Sequence, residues 1–323
     1  MSRRVEKIVV LDGRTLNPGD ISWEPLSCLA GHFEVHARTL PQETVQRALG
    51  CRVLFTNKTP LGEAEFKALP GLEYVGVLAT GYNVVDVGLA RRLGITVTNV
   101  PSYGTMAVAQ YAIGLLLEVT GQVGRHSQAV REGRWGSSRD FCFWDRPLME
   151  LDGKTLGIIG LGAIGRKVAA IAKSLGMSVL AYNGGRAKGC PEAGAAGLPE
   201  LLGASDVISL HCPLTEETEG IIGSKTIPLM KDGVILVNTA RGGLIDEGEL
   251  AKALSSGKIA QAALDVLRDE PPLPGNPLIA LPNCLITPHL AWSPPEARKR
   301  LIGTAASNLI SFLDGAPVNV VNP

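Results

Sequence analysis

Apolar and polar positions alternate along the first hundred residues as short apolar runs separated by longer amphipathic segments. Each apolar run has the length of a buried β-strand, and the segments between them have helical periodicity. This alternation is typical of a parallel sheet with covering helices. The predicted strands cover residues 8–11, 53–56, 74–79 and 95–100, and the predicted helical segments cover residues 43–49 and 63–69.

A second alternating series begins at residue 155, after a long apolar helix that is predicted over residues 105–120. A helix over residues 295–313 and an extended segment over residues 318–321 close the pattern. Six strands with intervening helices match a doubly wound nucleotide-binding sheet. We therefore expect an α/β protein with two doubly wound parallel-sheet domains. The strands of the second series are predicted over residues 156–159, 178–181, 207–210, 234–238, 262–266 and 285–287.

A G-x-G-x-x-G run at residues 160–165 lies between the first strand of this second series and a helical segment over residues 166–175. In that setting the run predicts a turn that holds the pyrophosphate of a dinucleotide. Gly160 permits the tight turn, Gly162 lets the pyrophosphate approach the backbone, and Gly165 lets the helix lie close to the strand. The helix N-terminus then offers N–H groups and a partial positive charge to the anion.

Three polar residues, Arg241, Glu270 and His289, follow three successive strands of the second series. They lie at the carboxyl ends of the strands, where open α/β sheets bind ligands. Reduction of a 2-oxo acid needs a hydride and a proton, and an imidazole can supply the proton near neutral pH. Glu270 can hold the ring of His289, and the planar guanidinium of Arg241 can pair with a substrate carboxylate and polarise the carbonyl. The three residue types together predict an oxidoreductase that uses a nicotinamide cofactor.

Composition narrows the class of protein further. The chain has 323 residues, which suggests about two domains, and its 31 basic and 31 acidic residues give a formal net charge of zero. A neutral chain without a basic stripe gives little support to nucleic-acid binding. The sequence has neither an apolar stretch that could span a bilayer nor a signal-peptide apolar region, so we expect a cytoplasmic protein without a membrane partner. Its six scattered cysteines favour reduced thiols over disulfides or a metal site.

Residues 238–242, 265–272 and 288–289 resemble the three signature regions of the D-isomer-specific 2-hydroxyacid dehydrogenases, and the resemblance covers nearly the whole chain. It implies that Arg241, Glu270 and His289 are the catalytic set, with the histidine as acid/base. It also implies a flavodoxin-like substrate domain and a Rossmann dinucleotide domain, with the active site in a cleft between them. The implied substrate domain is discontinuous, residues 1–101 and 293–323, and the implied dinucleotide domain covers residues 102–292.

Four further stretches are similar to the glycerate dehydrogenases, or hydroxypyruvate reductases, of that family. This similarity implies a small 2-oxo or 2-hydroxy acid as the substrate, either hydroxypyruvate and D-glycerate or glyoxylate and glycolate. The stretches are residues 79–86, 99–105, 141–145 and 289–292.

The same similarity implies a set of substrate contacts. The backbone N–H groups near Thr80 and Gly81 would bind the substrate carboxylate, since a small backbone concavity suits an anion. Lys58 is equally well explained as a solvated side chain, and Trp292 either covers the substrate or packs between the domains. The predicted substrate contacts are Asn57, Lys58, Ala79, Thr80, Gly81, Arg241 and Trp292.

Residues 134–147 are irregular in pattern and rich in aromatic side chains. Such a segment indicates an interface arm if its rings are exposed, and the alternative is packing against its own domain. Because relatives in the family form dimers, the resemblance implies a homodimer that uses this segment.

The cofactor is predicted to be NADP or NAD, with a slight preference for NADP. Dinucleotide sites usually carry an acidic residue at the end of the second strand, where it binds the adenosine ribose. Here the strand ends in Asn183, which would not repel a 2′-phosphate, and Arg186 could pair with one. His211 is expected to be structural, on the adenosine side. The predicted cofactor contacts are Gly160, Gly162, Ala163, Ile164, Gly165, Asn183, Arg186, Cys212, Pro213, Thr218, Thr239, Ala240 and Asp265.

Two alternatives to this function stay open at the level of sequence. Corepressor proteins resemble the same family and can retain the arginine, glutamate and histidine, so a dinucleotide-sensing binding protein is one alternative. A phosphoglycerate dehydrogenase is the other, within the same class of enzyme. Turnover of a 2-oxo acid distinguishes the enzymes from the binding protein.

Overall fold

The computed structural model describes residues 4–184 and 190–323. The chain divides into two compact units, which we call unit 1 (residues 1–104 and 292–323) and unit 2 (residues 105–291). Each unit has a parallel sheet with helices packed on it, which confirms the predicted fold class.

A five-stranded parallel sheet forms the centre of unit 1. Its strands are β1 (Val5–Val10), β2 (Ala30–Val35), β3 (Val53–Thr56), β4 (Tyr74–Val77) and β5 (Thr96–Thr98). Their order across the sheet is β2-β1-β3-β4-β5. Successive residues of β1 point to opposite faces, so that Ile8 and Val10 belong to one apolar cluster and Val9 belongs to the other. The sheet is therefore buried on both faces, as parallel sheets usually are.

Five helices cover the two faces of this sheet. They are α1 (Glu24–Ser27), α2 (Thr44–Ala48), α3 (Glu63–Ala68), α4 (Val87–Arg92) and α10 (Pro295–Leu313). Leu26 of α1 and Leu301 of α10 lie in the cluster with Ile8. Ala48, Phe66 and Ala90, from the other three helices, lie in the cluster with Val9. The last long helix of the chain is thus part of the core of the first unit.

Unit 2 is built on a seven-stranded parallel sheet. Its strands are β6 (Thr155–Ile159), β7 (Ser178–Tyr182), β8 (Gly194–Ala195), β9 (Val207–Leu210), β10 (Val234–Asn238), β11 (Ile259–Leu264) and β12 (Cys284–Ile286). Their order is β12-β11-β10-β9-β6-β7-β8. The chain therefore builds outward from β6 in one direction and then from β9 in the other. Open sheets of this kind bind ligands at the point of reversal, beyond the carboxyl ends of the strands.

Two apolar clusters cover the faces of this second sheet. Ile158 of β6 and Ile235 of β10 lie in one cluster with residues of α5 and α7. Ile159 and Leu236, the next residue of each strand, lie in the other cluster with residues of α8 and α9. The helices of unit 2 are α5 (Thr105–Gly121), α6 (Val123–Arg131), α7 (Ala163–Ser174), α8 (Leu198–Ala204) and α9 (Glu247–Ser256).

The structure corrects several predicted boundaries. Strands β3, β9 and β10 and helix α10 have the predicted bounds, because each is an apolar or strongly periodic segment between clear breakers. The pattern missed β2, an edge strand in which exposed polar residues such as His32 interrupt the apolar run. It also missed β8, which has two residues, and the polar helix α6. Helix α7 begins at Ala163 inside the glycine run, three residues before the predicted start at residue 166.

Among the described residues, one pair of helices has the length and composition of a membrane-spanning segment. No single helix there is both long and apolar enough to cross a bilayer. Helices α5 and α6 reach that length only when taken together, and they bend by 57° at the break between them.

Candidate active site

The turn between β6 and α7 is shaped by two glycines that the protein itself requires. Gly160 has a φ of +102°, and a Cβ there would lie 2.4 Å from the backbone nitrogen of Cys212. A Cβ on Gly165 would lie 2.3 Å from the carbonyl oxygen of Gly160. Both distances are too short for any side chain, so these two glycines let β6, α7 and the segment after β9 approach one another.

Gly162 differs from these two glycines. It is the N-cap residue of α7, and a Cβ placed on it would have no heavy atom of the described chain within 4 Å. Among the described residues no side-chain hydrogen bond caps this helix, so its first N–H groups are available to a ligand. A helix N-terminus with this geometry attracts phosphate through its N–H groups and its partial positive charge.

Asn183 follows β7 and supports the same turn. Its Oδ1 accepts a hydrogen bond of 3.1 Å from the backbone N–H of Leu161. Because the acceptor atom is used within the protein, the Nδ2 group is the part of the amide that remains to donate to a ligand. Arg186, the other residue assigned to cofactor choice, lies outside the described residues.

The segment after β9 carries four of the residues considered for the adenosine side. Burial lowers the pKa of His211 to about 4, and its Nε2 lies 2.8 Å from the Ser209 hydroxyl. His211 is therefore uncharged at neutral pH and does not compete as a proton donor. Thr218 donates from its hydroxyl to the carbonyl of Pro213 at 2.7 Å, which closes the loop on itself. Burial raises the pKa of Cys212, which keeps its thiol protonated.

The turn after β10 presents Arg241. Asn238 shapes this turn from inside, since its Oδ1 accepts from the N–H of Ala240 and its Nδ2 donates to the carbonyl of Arg241, both at 2.9 Å. The Arg241 side chain is exposed and donates to the carbonyl of Ala240 at 2.7 Å. A Cβ on Gly242 would lie 1.9 Å from the carbonyl carbon of Leu267, so this turn packs directly on the one after β11.

Thr239 gives an independent sign of a missing polar partner. The residue is 8% exposed, and its hydroxyl oxygen is buried with no hydrogen-bond partner in the part of the chain that the structure describes. Buried hydroxyls are nearly always paired, so a bound molecule is the natural partner. This atom and the open space at Gly162 are both compatible with a bound dinucleotide.

Glu270 and His289 form the central pair of the site. The Nδ1 of His289 lies 2.6 Å from Oε2 of Glu270, and Oε1 of Glu270 accepts from the N–H of Leu267 at 3.2 Å. Both side chains are partly exposed. A carboxylate accepts hydrogen bonds, so Nδ1 carries the proton and the ring is held in one orientation. The second ring nitrogen, Nε2, is then the one that can exchange a proton with a bound molecule.

Asp265 holds the segment that carries His289, a role that the sequence analysis did not assign. Its carboxylate accepts from the Thr287 hydroxyl at 2.6 Å and from the N–H groups of Leu290 and Ala291 at 2.8 Å each. Its carbonyl accepts from the N–H of His289 at 2.8 Å. These bonds fix His289 with a φ of +55°, a conformation that is unusual for a residue with a side chain. The signal in the sequence was the position of Asp265 directly after a buried strand.

The three predicted catalytic residues all lie in unit 2. Strands β10, β11 and β12 are adjacent and parallel, so the segments after them meet at one edge of the sheet. Arg241, Glu270 and His289 follow these strands in that order. The structure joins Glu270 and His289 directly and places Arg241 on the neighbouring turn.

Unit 1 carries the remaining predicted substrate residues. The Nδ2 of Asn57 donates to the carbonyl of Leu78 at 2.6 Å, so this buried amide braces two turns of unit 1. Asp12, which the sequence analysis missed, accepts from the N–H groups of Asn57 at 2.7 Å and of Thr59 at 2.9 Å, and also from that of Lys58. Like Asp265, it closely follows a buried strand. The Lys58 side chain is exposed.

Trp292, Ala79, Thr80 and Gly81 also belong to unit 1. Trp292 is partly buried against the apolar cluster that contains Leu301. The Thr80 hydroxyl donates to the carbonyl of Val100 at 2.9 Å, which ties the turn at residues 79–81 to the end of β5.

Comparisons with known proteins agree with this geometry. Residues 113–291 match the family described as "D-isomer specific 2-hydroxyacid dehydrogenase, NAD binding domain". The chain is 52% identical over 321 residues to a hydroxypyruvate reductase of Blautia hydrogenotrophica. The alignment covers 98% of this chain and 99% of the relative. It is 39% identical over 318 residues to a glycerate dehydrogenase of Methylorubrum extorquens, with 98% and 99% covered. A solved acyclic imino acid reductase in complex with NADPH and D-Arg matches at a TM-score of 0.84 and 31% identity, with 98% and 99% covered.

Alanine substitutions at Gly162 and Gly165 distinguish a glycine that leaves room for the dinucleotide from one that is needed for packing within the protein. In Gly162→Ala we expect an unchanged Tm and a dissociation constant for the reduced dinucleotide that rises at least about tenfold, because the methyl group occupies only ligand space. In Gly165→Ala we expect a lower Tm, because the methyl group meets the carbonyl of Gly160. Thermal unfolding and fluorescence titration with NADH and NADPH measure both quantities. A Gly162→Ala protein that binds both dinucleotides normally would contradict the assignment of this turn.

Proposed function

Since the chain belongs to the D-isomer-specific 2-hydroxyacid dehydrogenase family, we propose that its principal substrate pair is hydroxypyruvate and D-glycerate. The protein is an NAD(P)-dependent oxidoreductase that interconverts a small 2-oxo acid and the D-2-hydroxy acid. The hydroxypyruvate reductase and glycerate dehydrogenase to which it is similar support this substrate, and glyoxylate is the second substrate that we expect. The observation that carries the proposed chemistry is the hydrogen bond of 2.6 Å between His289 and Glu270.

His289 is proposed as the proton donor. A bound reduced nicotinamide would supply the hydride to the carbonyl carbon of the substrate, and the residues of this site would meet the negative charge that this leaves on the carbonyl oxygen. Glu270 fixes the imidazole through Nδ1, so that Nε2 can deliver a proton to that oxygen. In the reverse direction Nε2 accepts the proton from the hydroxyl group. Asp265 takes part by holding the backbone of His289 in place.

Arg241 and the turn at residues 79–81 are proposed to recognise the acid. The exposed guanidinium of Arg241 suits the carboxylate and the carbonyl oxygen of a 2-oxo acid, since its planar fork donates two parallel hydrogen bonds. The backbone N–H groups of Thr80 and Gly81 suit a carboxylate oxygen. Asn57, Lys58, Ala79 and Trp292 are proposed as further substrate contacts.

Steady-state kinetics with a panel of 2-oxo acids test the substrate and the acid together. We expect hydroxypyruvate to have the highest kcat/KM, above glyoxylate and pyruvate. In His289→Asn we expect kcat to fall by about 10²–10⁴-fold, because the group that protonates the carbonyl oxygen is lost. In Glu270→Gln we expect a smaller loss of kcat with a displaced pH profile, since the amide still accepts from Nδ1 but carries no charge.

His32→Gln is the control for this experiment, because His32 lies on the edge strand of unit 1 and should leave kcat unchanged. A near-normal kcat in His289→Asn would exclude this residue as the acid. Preference for a phosphorylated 2-oxo acid would favour phosphoglycerate dehydrogenase. Dinucleotide binding without turnover of any 2-oxo acid would favour the dinucleotide-sensing binding protein.

The cofactor is a nicotinamide dinucleotide, and we propose a preference for NADPH over NADH. The support is Asn183, whose acceptor atom is used by Leu161 and whose remaining Nδ2 group donates hydrogen bonds. A donor suits a phosphate oxygen, whereas the carboxylate that usually occupies this position repels a phosphate. Solved relatives bind either cofactor, since an acyclic imino acid reductase holds NADPH and two D-lactate dehydrogenases hold NAD, so the proposal rests on Asn183.

Asn183→Asp is the test of cofactor preference. The aspartate retains an oxygen for the N–H of Leu161 and replaces the donor by a charged acceptor, so the change isolates the charge. We expect the ratio of kcat/KM for NADPH to that for NADH to fall by at least about tenfold. Gln128→Glu, an equal charge change on the exposed surface of α6, is the control and should leave the ratio unchanged. An unchanged ratio in Asn183→Asp would remove this residue from cofactor choice.

We also propose that the protein is a homodimer and that residues 134–147 form part of the interface. Phe141 is 89% exposed, Trp144 is 63% exposed and Trp135 is 53% exposed. Ion pairs nevertheless hold the segment in place. Asp145 pairs with Arg134 of the same segment at 2.7 Å and with Arg125 of α6 at 3.0 Å. Exposed aromatic rings on a fixed segment are typical of an interface.

Sedimentation velocity of a Phe141→Ser, Trp144→Ser double variant tests the dimer. We expect the wild-type protein to sediment as a dimer and the double variant to shift towards the monomer. A few large side chains, often aromatic, contribute most of the binding free energy of such an interface. Leu93→Ser, at a residue of unit 1 that is 50% exposed, is the control. A wild-type monomer, or a double variant that remains dimeric, would contradict the proposed interface.

A cytoplasmic location is proposed as well. The six cysteines are free thiols, and burial raises the pKa of Cys51 and Cys284. A reducing compartment keeps such thiols in this form.

A further inference from the structure

The segment at residues 318–322 extends the sheet of unit 1. Val320 pairs with Thr98 of β5 in an antiparallel bridge, and the N–H of Val321 donates to the carbonyl of Val97 at 2.9 Å. Asn322 accepts from the N–H of Val97 at 2.9 Å and donates to the carbonyl of Ile95 at 2.8 Å. This segment therefore covers the open edge of β5 and is held there by several hydrogen bonds.

Three asparagine side chains connect this segment to the turn at residues 79–81. Asn319 donates from Nδ2 to Oδ1 of Asn308 at 2.8 Å. Asn308 donates from Nδ2 to the carbonyl of Asn99, also at 2.8 Å. Asn99 donates from Nδ2 to the carbonyl of Thr80 at 2.7 Å. We call Asn319, Asn308 and Asn99 the amide relay, since each donates to the next member and the last donates to the turn.

The properties of asparagine suit each position of the amide relay. A carboxamide both donates and accepts, so a buried member can be bonded on both sides without carrying charge. Asn308, on α10, is 1% exposed and is bonded on both sides. Asn319 has a φ of +54°, a left-handed conformation that asparagine tolerates better than most residues. Its carbonyl also accepts from the N–H of Asn99 at 3.2 Å, so the segment holds Asn99 through main chain and side chain.

The amide relay and β5 together fix the direction of two N–H groups. In a trans peptide the C=O of one residue and the N–H of the next lie in one plane and point in opposite directions. The carbonyl of Ala79 accepts from the N–H of Val100 at 3.0 Å, and that of Thr80 accepts from Asn99. These two bonds therefore orient the N–H groups of Thr80 and Gly81. Within the described ranges, no protein acceptor is bonded to either N–H group.

We propose that Asn319, Asn308 and Asn99 are positioning residues that hold the turn at Thr80 and Gly81 in the conformation that binds the substrate carboxylate. The inference rests on the proposed function, which assigns the carboxylate to these N–H groups. It adds three residues to the determinants of substrate affinity, two of which are more than 200 positions from the turn in the sequence. None of the three is required to touch the substrate.

Asn319→Gly in the full chain isolates the side-chain part of the amide relay. Glycine adopts the left-handed backbone without strain and keeps the carbonyl that accepts from Asn99, so only the donor to Asn308 is lost. Asn322→Ala is the matched control. It removes two hydrogen bonds from the same segment, one to Val97 of β5 and one to Ile95 just before β5, but Asn322 is not a member of the amide relay.

Two readouts are measured on these variants. Hydrogen exchange of the Val100 N–H, which donates to the carbonyl of Ala79 at the turn, should be about fivefold faster in Asn319→Gly, the factor that one net hydrogen bond provides, and unchanged in Asn322→Ala. The KM for hydroxypyruvate should rise about three- to fivefold in Asn319→Gly, with kcat and the KM for the dinucleotide unchanged. Unchanged exchange in Asn319→Gly, or equal effects in both variants, would overturn the proposal.

Gly81→Pro separates failure of the amide relay from failure of the proposed function, because proline lacks the N–H group that the carboxylate contact needs. A raised KM for hydroxypyruvate in Gly81→Pro together with a normal KM in Asn319→Gly would overturn the amide relay and leave the contact in place. An unchanged KM in Gly81→Pro would overturn the contact and the proposal with it. A raised KM in both variants, with a normal KM in Asn322→Ala, is the result that we expect.

Discussion

The hydrogen bond between Nδ1 of His289 and Oε2 of Glu270 is the interaction on which the proposed chemistry depends, and it exists only because of the sheet beneath it. The two residues are 19 positions apart and belong to the segments after β11 and β12. Adjacent parallel strands bring those segments to one edge, and the buried carboxylate of Asp265 fixes the second segment through its side chain and its carbonyl. A donor–acceptor distance of 2.6 Å needs this support, since neither side chain is buried enough to be held by packing.

In the turn between β6 and α7, some glycines are required by the fold and another is required only by the ligand. Gly160 and Gly165 are needed by the protein, because any side chain there would strike backbone atoms. Gly162 is not needed for packing, and the space beside it is what a phosphate requires. A pattern of glycines thus encodes a fold constraint at two positions and a ligand constraint at one. Since two of the three glycines serve the packing of a strand against a helix, the motif predicts dinucleotide binding only where a strand precedes it and a helix follows it.

The sequence predicted those parts of the molecule that leave a local signature. Apolar runs such as β9 and β10, the glycine motif and a polar residue soon after a strand can each be recognised from residues that lie within a few positions of one another. Strand β2 left no such signature, because an edge strand can keep exposed polar residues and still pair with β1. The hydrogen bonds of Asp12 and Asp265 join residues between 22 and 47 positions apart, and no periodicity records such pairs. The position of Asp265 after a buried strand indicated a site residue but not its partners, and Asp12 was missed altogether.

Charge explains why the turns are held by different side chains. The segments at residues 56–59 and 287–291 present N–H groups inward, and a carboxylate can accept several of them at once. At the exposed turn of residues 79–81 the group to be held is the carbonyl of Thr80, so its partner must donate. A carboxylate could not donate, and it would repel the acid that we propose binds there. An amide donates without charge, and Asn99 can do so only while its own backbone is held by Asn308 and Asn319.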